Sequence, residues 1–304
     1  MSASAFTIAG VPQGSLHKYW KIMNAGAQKA VRELLERGIT VNLAWNAPLR
    51  EDDREEQKKI VAGFVKKGVD GMMLAPFDNR SLVPSVDEAA KLGIPTVILD
   101  SALDSTHIVS FIATDNRKGG ALAAERMGEL LSGKGKVLVL RYQQGSASTE
   151  EREEGFIHRL RQLYSEIAII SSDQYAGATR DTAKRAAEAL LARYAANLQG
   201  VFTPNESSTA GMLMALQTMK LAGKIVLVGF DASDMYVDSM RYKQIQGLVV
   251  QDPFRMGELG VKTLVDHLQG RPVPKRIDTG ATMATPENMD KPEVGQLLAP
   301  PAAR

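Results

Sequence analysis

Side chains able to hold a ligand recur in this sequence just after its short apolar runs. After the first run, Phe6 to Val11, stand Gln13, His17, Tyr19 and Trp20. Ala75, Pro76, Phe77 and Asp78 follow the third, and Asp100 with Ser101 the fourth. Thr114, Asp115 and Asn116 close the fifth. Further on come Gln143 and Gln144, then Arg152, then Asn205 and Glu206, Phe230 and Asp231, and Gln251 with Asp252. Aromatic faces, carboxylates, amides and one arginine suit a neutral polyhydroxylated ligand. Such a ligand offers C–H patches to aromatic rings and hydroxyls to planar, oriented polar groups. Hydrogen bonds to charged groups are worth about 1.5–3 kcal/mol where water is excluded.

Each residue also has a plain structural reading. An Asp or Asn after a strand often caps the next helix or forms a turn. Tyr19 and Trp20 could pack in a core, and Arg152 among Glu150, Glu151, Glu153 and Glu154 could belong to a salt-bridged helix face. The grouping of the whole set at one kind of position is what favours a ligand.

The elements that must position these residues alternate. Strands are read at 6–11, 41–45, 71–75, 96–99 and 108–114, with helices at 18–37, 52–67, 81–92 and 116–131. After Gly133 and Gly135 the pattern restarts, with strands at 136–141, 167–172, 200–203, 225–229 and 248–250 and helices at 149–163, 179–194 and 207–221. Strands separated by helices of this length make βαβ units and mostly parallel sheets with helices on both faces. Unbroken apolar strands such as Val137 to Leu140 agree. Five or six strands before residue 115 and four or five after it favour two α/β lobes over one wide sheet. No sequence repeat between the halves is evident. The tail from Asp290 to Arg304 reads as a loose surface segment. In doubly wound sheets ligands bind outside the carboxyl ends of the strands, where the chosen residues stand.

Composition narrows the function. The 304 residues are 44% hydrophobic and 24% charged, a globular balance. The 37 Lys and Arg exceed the 35 Asp and Glu by two, too little to point to nucleic acid or an anionic membrane surface. Cysteine is absent, which removes thiol catalysis, thiolate metal sites and disulfides. No apolar run reaches the roughly 18 residues of a membrane span. Met1 to Ala5 lacks the basic and apolar pattern of a leader, so the expectation is a cytosolic protein or a mature form with a start methionine in place of its leader. No Gly-x-Gly-x-x-Gly follows the first strand, and Ser132 to Lys136 reads as a turn and not a phosphate loop. No nucleophile elbow or zinc-protease motif occurs, and the acidic run Glu51 to Glu56 reads as a solvated helix start. No catalytic residue, metal or cofactor is expected.

The same residues resemble the periplasmic sugar-binding proteins of the ribose/galactose type, which serve ATP-driven importers. The resemblance runs from Phe6 to about Thr285. It is carried by Tyr19-Trp20 with Gly26 to Lys29, Gly93 to Asp100, Ile112 to Asn116 with Gly119-Gly120, Glu151 to Phe156, Val201 to Glu206 and Val228 to Asp231. It implies a type I periplasmic binding protein fold, two doubly wound parallel-sheet lobes joined by a three-strand hinge. The lobes would be 1–114 plus 252–280, and 115–251 plus 281–304. It implies that a monosaccharide or related polyol binds in the interlobe cleft and is presented to the membrane permease of an ABC importer, by a periplasmic, monomeric protein. On this resemblance Tyr19 and Trp20 pack on the sugar, Asp100 and Asp231 accept from hydroxyls, and Arg152 and Asn205 donate. Thr114, Asn116 and Gln251 fall at the crossovers. Gln13, His17 and Phe230 complete the expected site. Ala75 and Ser101 depart from the Asn and Arg of ribose binders, and His17 from a frequent Asn, which points away from ribose itself. No galactose-type calcium loop is seen. The alternatives are the effector domain of a lactose-repressor-type regulator, which would need a DNA-binding segment of about 60 residues ahead of Phe6, a sugar or autoinducer receptor for a sensor kinase, and an enzyme of doubly wound fold.

Overall fold

The computed structural model describes residues 5–299. In chain order the elements begin with β1 (Ala5–Val11), α1 (Lys18–Glu36), β2 (Thr40–Trp45), α2 (Arg54–Lys67), β3 (Gly71–Leu74), α3 (Val83–Lys91), β4 (Thr96–Leu99) and β5 (Ser110–Ala113). There follow α4 (Asn116–Leu130), β6 (Lys134–Arg141), α5 (Ala147–Leu163), β7 (Glu166–Tyr175), α6 (Arg180–Tyr194), β8 (Gly200–Phe202), α7 (Glu206–Thr218), β9 (Val226–Phe230), α8 (Asp234–Arg241) and β10 (Gly247–Val250). The chain ends with α9 (Pro253–Leu268), β11 (Arg276–Asp278), β12 (Thr282–Ala284) and α10 (Pro292–Leu298).

These elements form two compact units. One holds residues 5–114 and 252–279, the other residues 115–251 and 280–299, so the chain passes between them three times. The first unit contains a six-stranded sheet in the order β11-β5-β4-β3-β1-β2, parallel throughout. The second contains a sheet in the order β12-β10-β9-β8-β6-β7, parallel except for β12, which runs antiparallel to β10. Helices on both faces bury the central strands, which is why β3, β4 and β10 carry no polar alternation. Val97, Ile98, Leu138, Val139 and Leu140 are fully buried, each contributing about 1.5–3 kcal/mol of transfer free energy.

The two sheets repeat one strand order, with β1 to β5 answered by β6 to β10. The repeat is not legible in residue identities, because parallel strands and amphipathic helices constrain hydrophobic pattern and not residue identity. In each unit the helix after the fifth strand comes from the other half of the chain: α9 packs in the first unit and α4 in the second.

These exchanged helices approach their neighbours backbone to backbone. A methyl group on Gly257 of α9 would lie 1.9 Å from the Met23 carbonyl oxygen of α1, and one on Gly26 of α1 would lie 1.8 Å from that of Phe254. In the second unit a methyl on Gly120 of α4 would lie 1.9 Å from the Arg152 carbonyl oxygen of α5, and one on Gly155 2.2 Å from that of Arg117. No side chain can enter these crossings. The one at Gly120 sets the depth of Arg152.

Several expectations change. The sequence pattern does not mark β11, β12, α8 and α9; among the described residues seven strands follow residue 115 instead of four or five. β11 and β12 are three residues long and mostly exposed or half-buried, so neither shows the apolar run that marks β8. Lys134 to Lys136 belong to β6, so the turn is confined to Ser132 and Gly133, both at positive φ. Helix α2 starts at Arg54 with Asp53 as its cap, and Glu51 is buried instead of solvated. The tail is not loose as far as residue 299: α10 buries Val294 and Leu298 in the second unit's main apolar cluster. Residues 300–304 lie outside the described part.

Candidate functional site

In the second unit the strand ends carry a connected polar set. Arg152, only 2% exposed, donates from Nε to Asn116 Oδ1 at 2.8 Å and from Nη1 to the Pro204 carbonyl at 3.0 Å. Its guanidinium stands 4.1 Å from the centroid of the Phe230 ring, a cation–π contact in a desolvated setting. The salt-bridged-face reading of Arg152 therefore fails. The neighbouring glutamates have other duties: Glu154 pairs with Arg117 at 2.6 Å, Glu150 accepts from the Gly145 N–H, and Glu153 from the Tyr142 N–H. Phe230 is the last residue of β9 and fully buried, forming the floor under Arg152.

Asp231 follows at φ 69°, a left-handed conformation that costs a non-glycine residue on the order of 1 kcal/mol. It is not the cap of α8, which starts from Ser233. Its Oδ2 accepts from the Glu206 N–H at 3.0 Å and its Oδ1 from Gln251 Nε2 at 2.6 Å. The amide of Gln251 is thereby oriented. Its nitrogen is committed to Asp231, and its buried Oε1 has no hydrogen-bond partner among the described residues. Gln143 Nε2 and Ser233 Oγ, after β6 and β9, are likewise buried without a partner there.

The first unit repeats the motif. Asp100, after β4 as Asp231 is after β9, lies at φ 65°. Its Oδ1 accepts from the Tyr19 hydroxyl at 2.5 Å. The main-chain N–H groups of Asp100 and Asp231 donate to the next strand, to the Ile112 and Val249 carbonyls respectively. Gln13 Nε2 donates to the Pro76 carbonyl at 2.8 Å, which ties the loop after β1 to the loop after β3. His17 Nδ1 stands 2.9 Å from Glu51 Oε1, which also accepts from the Trp20 indole. Trp20 is 4% exposed inside an apolar cluster with Met23, Ala27 and Met256. Its burial matches the plain reading, core packing, while Tyr19 presents the polar-tipped ring. Thr114 is fully buried, its carbonyl accepting from Arg276.

The geometry also separates caps from the rest. Asp115, Asp252 and Asn205 accept from the N–H three residues on and start α4, α9 and α7. Asn205 is thus a helix cap whose Nδ2 donates to Ser207 Oγ at 3.2 Å, and a donor role toward a ligand would be additional to that. Asn116, Arg152, Asp231 and Gln251 form one connected corner of the second unit, and Tyr19 and Asp100 one of the first.

A family model described as a periplasmic binding protein domain matches residues 8–272. The chain belongs to the periplasmic binding protein family. A carbohydrate transporter solute-binding protein from Agrobacterium radiobacter, solved with D-arabinose, is 30% identical over 98% of this chain and 100% of its own, with a TM-score of 0.90. An ABC transporter solute-binding protein from Agrobacterium vitis, solved with D-fucose, is 32% identical over 96% of this chain and 99% of its own, with a TM-score of 0.88. The ribose import binding protein of Bacillus subtilis is 28% identical over 77% of this chain and 75% of its own. These relatives place it among the ribose-type, sugar-binding members, and the family consists of binding proteins.

In this periplasmic binding protein, Gln57, Glu51 and Glu206 support the strand ends through partners distant in the chain. Gln57 of α2 donates to the Pro12 and Ala75 carbonyls at 3.1 and 2.9 Å and accepts from the Phe77 N–H at 3.0 Å, bracing two strand-end loops. Glu51 was hidden in an acidic run, and Glu206 behind the cap Asn205. Nothing around Gln57 and Glu51 marks this role, because their partners are distant in sequence, and Glu206 is marked only by its place after a strand.

Glu153 is buried on α5 beside Arg152, and burial pushes its carboxyl up to about 7, against the opposing pull of the Tyr142 N–H and of Arg141, 3.4 Å away. Glu150 raises it further. The native state therefore holds this proton more tightly than the unfolded chain. Stability from this group is full below about pH 4.5 and is lost as pH rises to about 7. Glu153→Gln keeps an acceptor for Tyr142 and removes that loss. Its thermal midpoint should exceed the parent's at pH 8, by the equivalent of at most about 3 kcal/mol, and match it near pH 4.5. Midpoints that differ equally at both pH values would refute the assignment.

Proposed function

We propose that this protein is the capture component of an ABC importer, working in the periplasm, and that it binds one neutral monosaccharide or polyol without changing it chemically. The observation that carries the reading is the buried Oε1 of Gln251, oriented by Asp231 and left as an acceptor at a strand end. An acceptor of that kind is satisfied by a hydroxyl, and a buried polar group left unmade costs about 1–3 kcal/mol. Arg152 and Asn116 beside it supply donors and a planar amide. Residues at the strand ends of both units, Tyr19 and Asp100 in the first and Asn116, Arg152, Asp231 and Gln251 in the second, contact the sugar in this reading. Gln13, His17, Thr114, Asn205 and Phe230 shape or support those contacts, and Trp20 backs Tyr19 from the core. The protein then hands the loaded sugar to the membrane subunits of its importer as a monomer.

The test is thermal unfolding, after denaturation and refolding to strip any carried-over ligand, against pentoses, hexoses, deoxysugars, polyols and amino acids. A ligand at about 1,000 times its Kd adds roughly 4 kcal/mol and raises the midpoint by several degrees. One or two sugars are expected to do so, and to be recovered unchanged. A deoxysugar lacking the hydroxyl that Gln251 accepts should shift the midpoint less than its parent. A shift with amino acids alone, or with no sugar or polyol, would overturn the reading.

A further inference from the structure

We propose that Glu206 and Arg180 are positioning residues for Asp231, holding its carboxylate in the orientation that receives a sugar hydroxyl. The proposal rests on the sugar-binding reading above. Asp231 is in a left-handed conformation that its own backbone does not favour, so its neighbours must hold the side chain. That hold includes the Glu206 N–H on Oδ2 and Gln251 Nε2 on Oδ1.

Glu206 is itself fixed on two further sides. Its carbonyl accepts from the hydroxyl of Tyr236, a fully buried side chain of α8. Its carboxylate, buried at the first turn of α7, pairs with the guanidinium of Arg180 at the first turn of α6. The charged and titratable groups facing Glu206 are thus Arg180 from α6, Tyr236 from α8 and Asp231 from the loop after β9. Two acidic residues meet there, and Arg180 supplies the balancing charge to the outer one. The reach of Arg180 is set by packing, since a methyl on Gly211 of α7 would lie 2.5 Å from the main chain of Ala183 in α6. The two helices therefore pack main chain against main chain at this crossing.

Removing Arg180 takes one counter-charge from a buried carboxylate. The first turn of α7 then relaxes toward solvent and its N–H withdraws from Asp231. Arg180 is 45% exposed along its side chain, so its replacement leaves the core intact.

The experiment is calorimetric affinity for the sugar found in the thermal panel, on the full chain. Arg180→Gln is expected to weaken binding about fivefold, and Arg180→Lys to restore it to within about twofold. In a Glu206→Gln background, where the charge that Arg180 answers is gone, Arg180→Gln should change affinity by less than about twofold. In an Asp231→Asn background the same loss of effect is expected. A merely structural role would lower the thermal midpoint and weaken binding equally in every background, and that result overturns the proposal. Unchanged affinity in Arg180→Gln overturns it too. Failure of the wild-type protein to bind any sugar overturns the underlying reading first, and this proposal with it.

Discussion

Asp231→Ala is expected to weaken sugar binding by about 10- to 100-fold, the worth of one or two desolvated hydrogen bonds to a charged group. The same change removes the acceptor for the Glu206 N–H and for Gln251 Nε2, and it places alanine at φ 69°, where a Cβ is strained. The unliganded variant should therefore also melt earlier. Asp231→Asn separates the two effects. Asparagine tolerates the left-handed conformation, but its amide nitrogen must face one of the two donors that the carboxylate now receives. It should keep most of the thermal midpoint and still lose about tenfold or more in affinity. Calorimetric titration of both variants with the sugar from the panel checks this. Affinities within about twofold of the parent in both would remove Asp231 from the site.

Gly120→Ala should be the most destabilising single methyl in the second unit. A residue in the middle of a helix normally gains up to about 1 kcal/mol when glycine becomes alanine. Here the new methyl would stand 1.9 Å from the Arg152 carbonyl oxygen, and the obstacle is helix backbone that cannot rotate aside. Separating α4 from α5 is expected to cost about 2–4 kcal/mol, reversing the usual sign and lowering the midpoint by about 5 °C or more. It would also draw Arg152 away from Asn116, so affinity should fall with stability. Gly257→Ala, at the matching crossing of α1 and α9, should destabilise the first unit by a similar amount. An unchanged or raised midpoint in both variants would mean that the helices are not in backbone contact.

The resemblance and the strand-end pattern identified most of the residues that the structure brings together. Asp100, Asn116, Asp231 and Gln251 stand just past the end of an apolar strand run, Tyr19 and Arg152 stand in the helix that follows one, and a run of buried strand residues is visible in one dimension. Their partners are less visible. Glu206 is marked only by its place after an apolar run, Gln57 by nothing in its helix, and Glu51 reads as part of a charged helix start. Each acts across 18 or more residues of chain, on Asp231, Ala75 and Trp20 respectively. Such pairings are set by which strands lie side by side, and strand order is not written in any local pattern.

From the sequence alone follow the alternation of strands and helices, two α/β units, and a set of aromatic, amide and charged residues at the strand ends. Those features depend on hydrophobic period and on residue type, which are local properties. Tertiary structure decided between roles that one side chain can play. Asp115, Asp252 and Asn205 face the free N–H groups of a helix start and cap it. Asp100 and Asp231 sit at positive φ, where the turn carries the carboxylate away from the following helix and toward Tyr19 or toward Gln251. Trp20 went into the core and Arg152 went under cover beside Phe230, because the close helix crossings at Gly26 and Gly120 fix how deep each side chain lies. The chemistry of a residue is a property of its type, but the direction in which it is spent is a property of the backbone around it.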